Sequence, residues 1–156
     1  MKKDSVETLV KKDKYQVFLF ACPANLPFSF ATHSWFVTNK KGLLSRWEVL
    51  FRKHACETSW GHLHKNAFLP FRGIHVFPFS NSDRYFWQNV RLIGHIGGEM
   101  GSLAYRMTDF IESSAQKYPL CNSYSLTGPN SNTYVRWVLR QFPESKLFLP
   151  WNAFGK

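Results

Sequence analysis

The chain has 156 residues, 44% hydrophobic and 17% aromatic, with 20 Lys and Arg against 10 Asp and Glu. That length suits one domain with a real core, and the apolar share excludes disordered, collagenous and low-complexity classes. The net charge of +10 is spread, since residues 1–14 carry five Lys against three acids and residues 40–72 carry seven basic residues against two acids.

Residues 1–14 read as a polar basic arm, with weak apolar periodicity at Val6, Leu9 and Val10, and residues 15–156 as a single globular domain. Tyr15–Ala21 is a compact aromatic and β-branched run, the mark of a buried strand. Pro23 and Pro27 then force an irregular connection. Phe30–Thr38 predicts a second strand, Asn39 to Gly42 a turn, and Leu44–Phe51 a third strand, together a hairpin. Residues 52–86 hold four of the six His and no lasting period, so loops with short strands such as Gly73–Phe77 are expected. Val90–Ile96 predicts another strand, closed by Gly97 and Gly98. From Glu99 to Lys117, apolar residues recur at three and four positions, which predicts an amphipathic helix ended by Pro119. Cys121–Leu126 is short and strand-like. A second helix is expected near Ser131 to Gln141, stopped by Pro143. Strands early and two helices late give an α+β fold, an antiparallel sheet packed against the two helices.

Three cysteines at wide, irregular spacing (Cys22, Cys56, Cys121) are no disulfide framework. The apolar run Val17 to Cys22 is too short to span a bilayer and lacks a signal-peptide layout, so a cytoplasmic protein is expected. No cofactor is expected. His54 with Cys56, and His62 with His64, form i, i+2 pairs, but without a second paired motif they argue little for a metal. Spread positive charge suits an anionic partner such as nucleic acid or anionic lipid, although no nucleic-acid motif accompanies it.

The densest local signal is Gly128-Pro129-Asn130-Ser131-Asn132-Thr133. Asn, Ser and Thr are favoured at helix N-caps, and a capped helix start accounts for the residue types. The same geometry also serves chemistry, because a nucleophile in the first helical turn sits among unpaired N–H groups at the positive dipole end. Ser131 is the candidate, and a hydroxyl there depends on a nearby base. His33 in the second strand is the candidate base. Glu48 in the third strand is the candidate group that orients it, since period-two alternation across a hairpin sets both on one face. Glu48 has a competing partner in Arg46. Asn130 or Asn132 would add an oxyanion donor, and Trp35 is a candidate substrate platform.

The ordered strings His33-Ser34-Trp35-Phe36-Val37, Arg46-Trp47-Glu48-Val49, Tyr118-Pro119, Gly128 to Thr133, Leu149-Pro150 and Ala153 to Lys156 resemble the family called domain of unknown function 3750. The family pattern has Trp-Pro before the Gly-Pro, where this chain has Leu126-Thr127. More distantly, the layout looks like the circularly permuted papain-like branch of amidases and lipid acyltransferases, in which the helix-start residue is Cys and not Ser. That likeness implies a hydrolase or acyl/amide transferase acting on a small molecule or peptide. The competing expectation is a binding module or pseudoenzyme for a peptide, glycan or anionic partner.

Overall fold

The nearly uninterrupted apolar run of residues 15–23 forms strand β1 (Tyr15–Pro23) of the computed structural model, which describes residues 6–79 and 84–156. Its partners are β2 (Thr32–Lys40) and β6 (Arg91–Gly98), both antiparallel. Strand β3 (Leu43–Val49) continues the sheet beyond β2, followed by β5 (Leu63–Lys65) and β4 (Ser59–Trp60). The six-stranded order is β4-β5-β3-β2-β1-β6, with antiparallel pairing throughout.

The sheet is covered on both faces, which is why β1 reads as continuous hydrophobicity and not as alternation. Val17, Leu19, Phe36 and Trp47 face one core with Met107, Ile111, Tyr134, Val135 and Val138 of the helices. Phe18, Phe20, Trp35 and Val37 face the other, packed by Val6, Ile74 and Val90 from non-sheet segments. Residues 6–14 thus lie on the domain and do not stand apart as an arm. Val6 is only 1% exposed, and side chains of Gln16 and Asn39 donate to the Leu9 and Lys11 carbonyls. Residues 1–5 of the expected arm lie outside the described residues.

The α+β expectation holds. The β2–β3 hairpin forms with a tighter turn than expected, Lys41 and Gly42 alone, both at positive φ (52° and 96°) as a two-residue hairpin turn requires. Gly97 and Gly98 lie within β6, paired with Gln16 and Tyr15, so the strand runs through the glycines.

Two expected strands are absent. Gly73–Phe77 makes only an isolated bridge, His75 to Phe86. Cys121–Leu126 is irregular because its backbone groups are used elsewhere: the Cys121 carbonyl accepts the His62 N–H, and the Ser125 N–H reaches the Pro129 carbonyl. The helix expected over Glu99–Lys117 begins later and is broken, as α1 (Leu103–Glu112) and α2 (Ser114–Lys117). Ser102 caps α1 by accepting the Tyr105 N–H, and the Ser113 hydroxyl donates to the Phe110 carbonyl at the break.

Helix α3 (Ser131–Gln141) matches its expected span. It packs on the helix-covered face through Tyr134, Val135 and Val138, and a short 3-10 turn at Pro143–Ser145 follows it. Among the described residues, no helix is long and apolar enough to cross a membrane.

Candidate functional site

The β2–β3 register pairs Phe36 with Trp47 and Val37 with Arg46. Continued by one residue beyond Phe36 and Trp47, it sets Glu48 opposite Trp35 and diagonal to His33, all on one face. His33 Nε2 lies 2.8 Å from Glu48 Oε2, with both side chains almost fully buried. An ionised carboxylate only accepts, so Nε2 donates the proton of this bond. Nδ1 has no protein partner among the described residues.

Glu48 is held as an anion. Burial alone would raise its pKa, but the Arg46 guanidinium and the His33 hydrogen bond outweigh it and bring the carboxyl down to about 2. Arg46 is itself wholly buried. Its Nη2 donates to Glu48 Oε2 at 2.8 Å, while Nε sits 2.7 Å from Oε1 at an angle too bent for a hydrogen bond. Nη1 donates to the Leu69 and Arg72 carbonyls, and the guanidinium lies over the Trp35 ring at 4.2 Å. The two partners expected to compete for Glu48 therefore bind it together, in a line Arg46–Glu48–His33.

The start of α3 divides its labour between two neighbouring residues. Asn130 is the cap: its Oδ1 accepts the N–H groups of Asn132 (3.0 Å) and Thr133 (3.4 Å), and the Thr133 hydroxyl accepts the Asn130 N–H. Ser131 is the first helical residue, and its hydroxyl makes no hydrogen bond among the described residues, including none to His33. Its backbone N–H is likewise without an acceptor there, as the first helical position allows.

Asn130 and Asn132 do not offer free amide donors. Asn130 Nδ2 donates to the carbonyls of Leu126 (3.1 Å) and Phe154 (3.2 Å), and Asn132 Nδ2 to those of Thr32 (2.8 Å) and Phe154 (2.9 Å). Both amides tie the helix start to neighbouring backbone, and Asn132 joins it to the residue before His33. The Thr133 hydroxyl adds a bond to the Gly155 carbonyl. Trp35 does not reach the site surface. It is fully buried, stacked on Phe20 at 5.6 Å with Nε1 bonded to the Pro70 carbonyl, and it supports Arg46.

His33, Asn130, Ser131 and Asn132 line one cavity of about 330 Å³, with Phe28, Phe30, Ile74, Tyr124, Leu126 and Phe154 among its other walls. Sequence reasoning found the polar end of this cavity. It missed the apolar walls, which come from irregular segments without period, and it missed Phe154 and Gly155 as partners of the helix start. The only signal for that partnership was the shared presence of the two strings in one family pattern.

Of the residues weighed for metal, His62 and His64 are engaged otherwise. His62 Nδ1 bonds the Leu50 carbonyl and His64 Nε2 the Arg52 carbonyl, while burial lowers the His64 pKa. Among the described residues, no group of three or more His, Cys, Asp or Glu side chains converges.

The family model described as "Protein of unknown function (DUF3750)" matches residues 14–156. The chain belongs to this family. No curated protein and no solved structure matches it. The permuted papain-like likeness gains no support from these comparisons and rests on motif order alone. Strings that carry the family pattern meet at the cavity: His33 from one, Asn130 to Asn132 from another and Phe154 from the last all line it.

Proposed function

We propose that the protein is a serine-dependent hydrolase or acyl/amide transferase acting on a small molecule or peptide. The observation that carries this reading is that Ser131, unbonded at the start of a helix, lines the same cavity as His33, whose far nitrogen is tied to an ionised Glu48. Ser131 Oγ attacks the substrate carbonyl and passes its proton to His33 Nδ1, which hands it to the leaving alcohol or amine as that bond to the acyl carbon breaks; water or an acceptor nucleophile then releases the acyl group from Ser131. Glu48, anchored by Arg46, keeps the imidazole in the right tautomer and stabilises the imidazolium. The Ser131 N–H supplies oxyanion stabilisation, since the Asn130 and Asn132 amides are occupied.

An alkyl fluorophosphonate tests this directly. The Ser131 oxygen bonds to phosphorus, fluoride leaves, and the proton goes to His33. Peptide mass spectrometry on the folded protein should find the adduct on Ser131, lost in Ser131→Ala and reduced at least about a hundredfold in rate in His33→Ala. An unmodified Ser131 after prolonged exposure would sink the reading. It would leave a binding module or pseudoenzyme, which the absence of a Ser131–His33 hydrogen bond favours.

A further inference from the structure

We propose that this cavity receives an uncharged, apolar acyl or aryl group of medium size, so that the substrate is a neutral lipophilic ester or amide. The inference rests on the hydrolase reading for the reaction but not for the binding.

The walls divide by chemistry. Phe28, Phe30, Ile74, Tyr124, Leu126 and Phe154 form the apolar part, and among the described residues no Lys, Arg, Asp or Glu lines the cavity. Burial pushes the Tyr124 phenol up, so it too is neutral at ordinary pH. Asn130 is spent at both ends, its Nδ2 on backbone carbonyls and its Oδ1 on two N–H groups, whereas Asn132 spends its Nδ2 on carbonyls and keeps a buried, unpartnered Oδ1. The hydrogen-bonding groups left for a ligand at the start of α3 are therefore the Ser131 hydroxyl, the Asn132 Oδ1 and the His33 ring. A charged group lodged among the rings would lose its water and find no counter-charge. An apolar group would leave water at no such cost, with its carbonyl held at the polar end.

The apolar wall continues to the surface. Phe30 is 66% exposed, Leu126 57% and Phe154 45%, and the Phe30 ring meets Phe28 and Phe154 edge-on, each at 6.3 Å. Entry therefore crosses the same kind of surface as the interior. The chain's +10 charge attracts anions in general, yet among the described residues none of it lines this cavity, so anion attraction and cavity recognition are separate properties. About 330 Å³ lies at the small end of ligand sites, which suits an octanoyl-sized group more than a long diacyl lipid.

The test is binding, measured by titration calorimetry on wild-type protein and on Ser131→Ala with three N-methyl amides. These are N-methylacetamide, N-methyloctanamide and the octanamide analogue whose chain ends in a carboxylate. Each fully buried methylene is worth about fourfold in affinity. N-methyloctanamide should therefore bind at least about a hundredfold more tightly than N-methylacetamide on both proteins, and the carboxylate analogue at least about tenfold more weakly than the octanamide. Phe30→Ser, at an exposed position, should weaken the octanamide about fivefold or more. Equal affinities for the short and long amides, or a preference for the carboxylate, would overturn the proposal. Hydrolysis of p-nitrophenyl acetate, measured alongside, separates the two readings. Chain-length preference without turnover keeps the apolar cavity and removes the hydrolase, and Ser131-dependent turnover without chain preference does the reverse.

Discussion

Replacing Glu48 by Gln removes one charge from a pair in which Arg46 and Glu48 are both wholly buried. Gln keeps the size and can still accept a hydrogen bond, but it leaves the Arg46 charge without its counter-ion. The cost follows from the carboxyl's own titration. Its ordinary value of 4.5 falls to about 2 in the folded protein, and at about 1.4 kcal/mol per tenfold change that gap is worth about 3 kcal/mol at neutral pH. Breaking a buried pair by removing one partner costs about 3–5 kcal/mol in general, which agrees. Because the folded-state value is the lower one, this stability is complete above about pH 4.5 and is lost as pH falls through about 2. Urea unfolding followed by the fluorescence of the six Trp should therefore show Glu48→Gln less stable by about 3–5 kcal/mol at pH 7, with the difference shrinking steadily below pH 4.5. Glu112 is also depressed, against burial, by Lys65, Thr38 and Trp47, so both proteins retain an acid-sensitive component and only their difference reports on Glu48. A difference under about 1 kcal/mol at pH 7, or one unchanged between pH 7 and pH 2, would refute the buried-anion account.

The helix start and the C-terminal segment can be probed independently. Gly155 has φ +85°, and a Cβ there would lie 2.4 Å from Asn130 Nδ2, so Gly155→Ala should cost about 2–3 kcal/mol and lower the melting temperature by roughly 5–10 °C. A melting temperature within a degree of wild type would show that the tail does not hold the cap. Asn130→Ala should cost about 1–2 kcal/mol by chemical denaturation, whereas Ser131→Ala, losing no hydrogen bond among the described residues, should stay within about 0.5 kcal/mol. The reverse order would mean that Ser131, and not Asn130, is the cap.

Much of the local structure was legible before any coordinates. The apolar run of β1, the β2–β3 hairpin and the periodicity of α3 are each written within one continuous stretch of fewer than twenty residues. Period-two alternation across that hairpin was enough to bring His33 and Glu48 to one face, because antiparallel register follows from a short turn. Whether Ser131 caps its helix is not decided by local sequence. Asn130 and Ser131 are adjacent, both are good caps, and only the bond from Asn130 Oδ1 to the following N–H groups separates their roles.

The remainder belongs to tertiary structure. Strands β4 and β5 are too short to show a period; β5 forms on the edge of β3, and β4 on the edge of β5. The irregular run at Cys121–Leu126 has strand-like residues whose backbone bonds are claimed by distant groups. Arg46 was visible as a partner for Glu48, but its service to both carboxylate and cavity histidine depends on carbonyls and rings from residues 35 to 72. The bond from Asn132 to Thr32 crosses 100 positions of sequence, and that from Asn130 to Phe154 crosses 24. Sequence by itself determined which segments could be strand or helix and which residues had chemistry to offer, since propensity and periodicity act between near neighbours. Only the folded chain decided which side chains face one cavity, which amide N–H groups are spent, and that Ser131, its hydroxyl unbonded among the described residues, lines the same cavity as His33, because those outcomes depend on contacts between residues that share no local pattern.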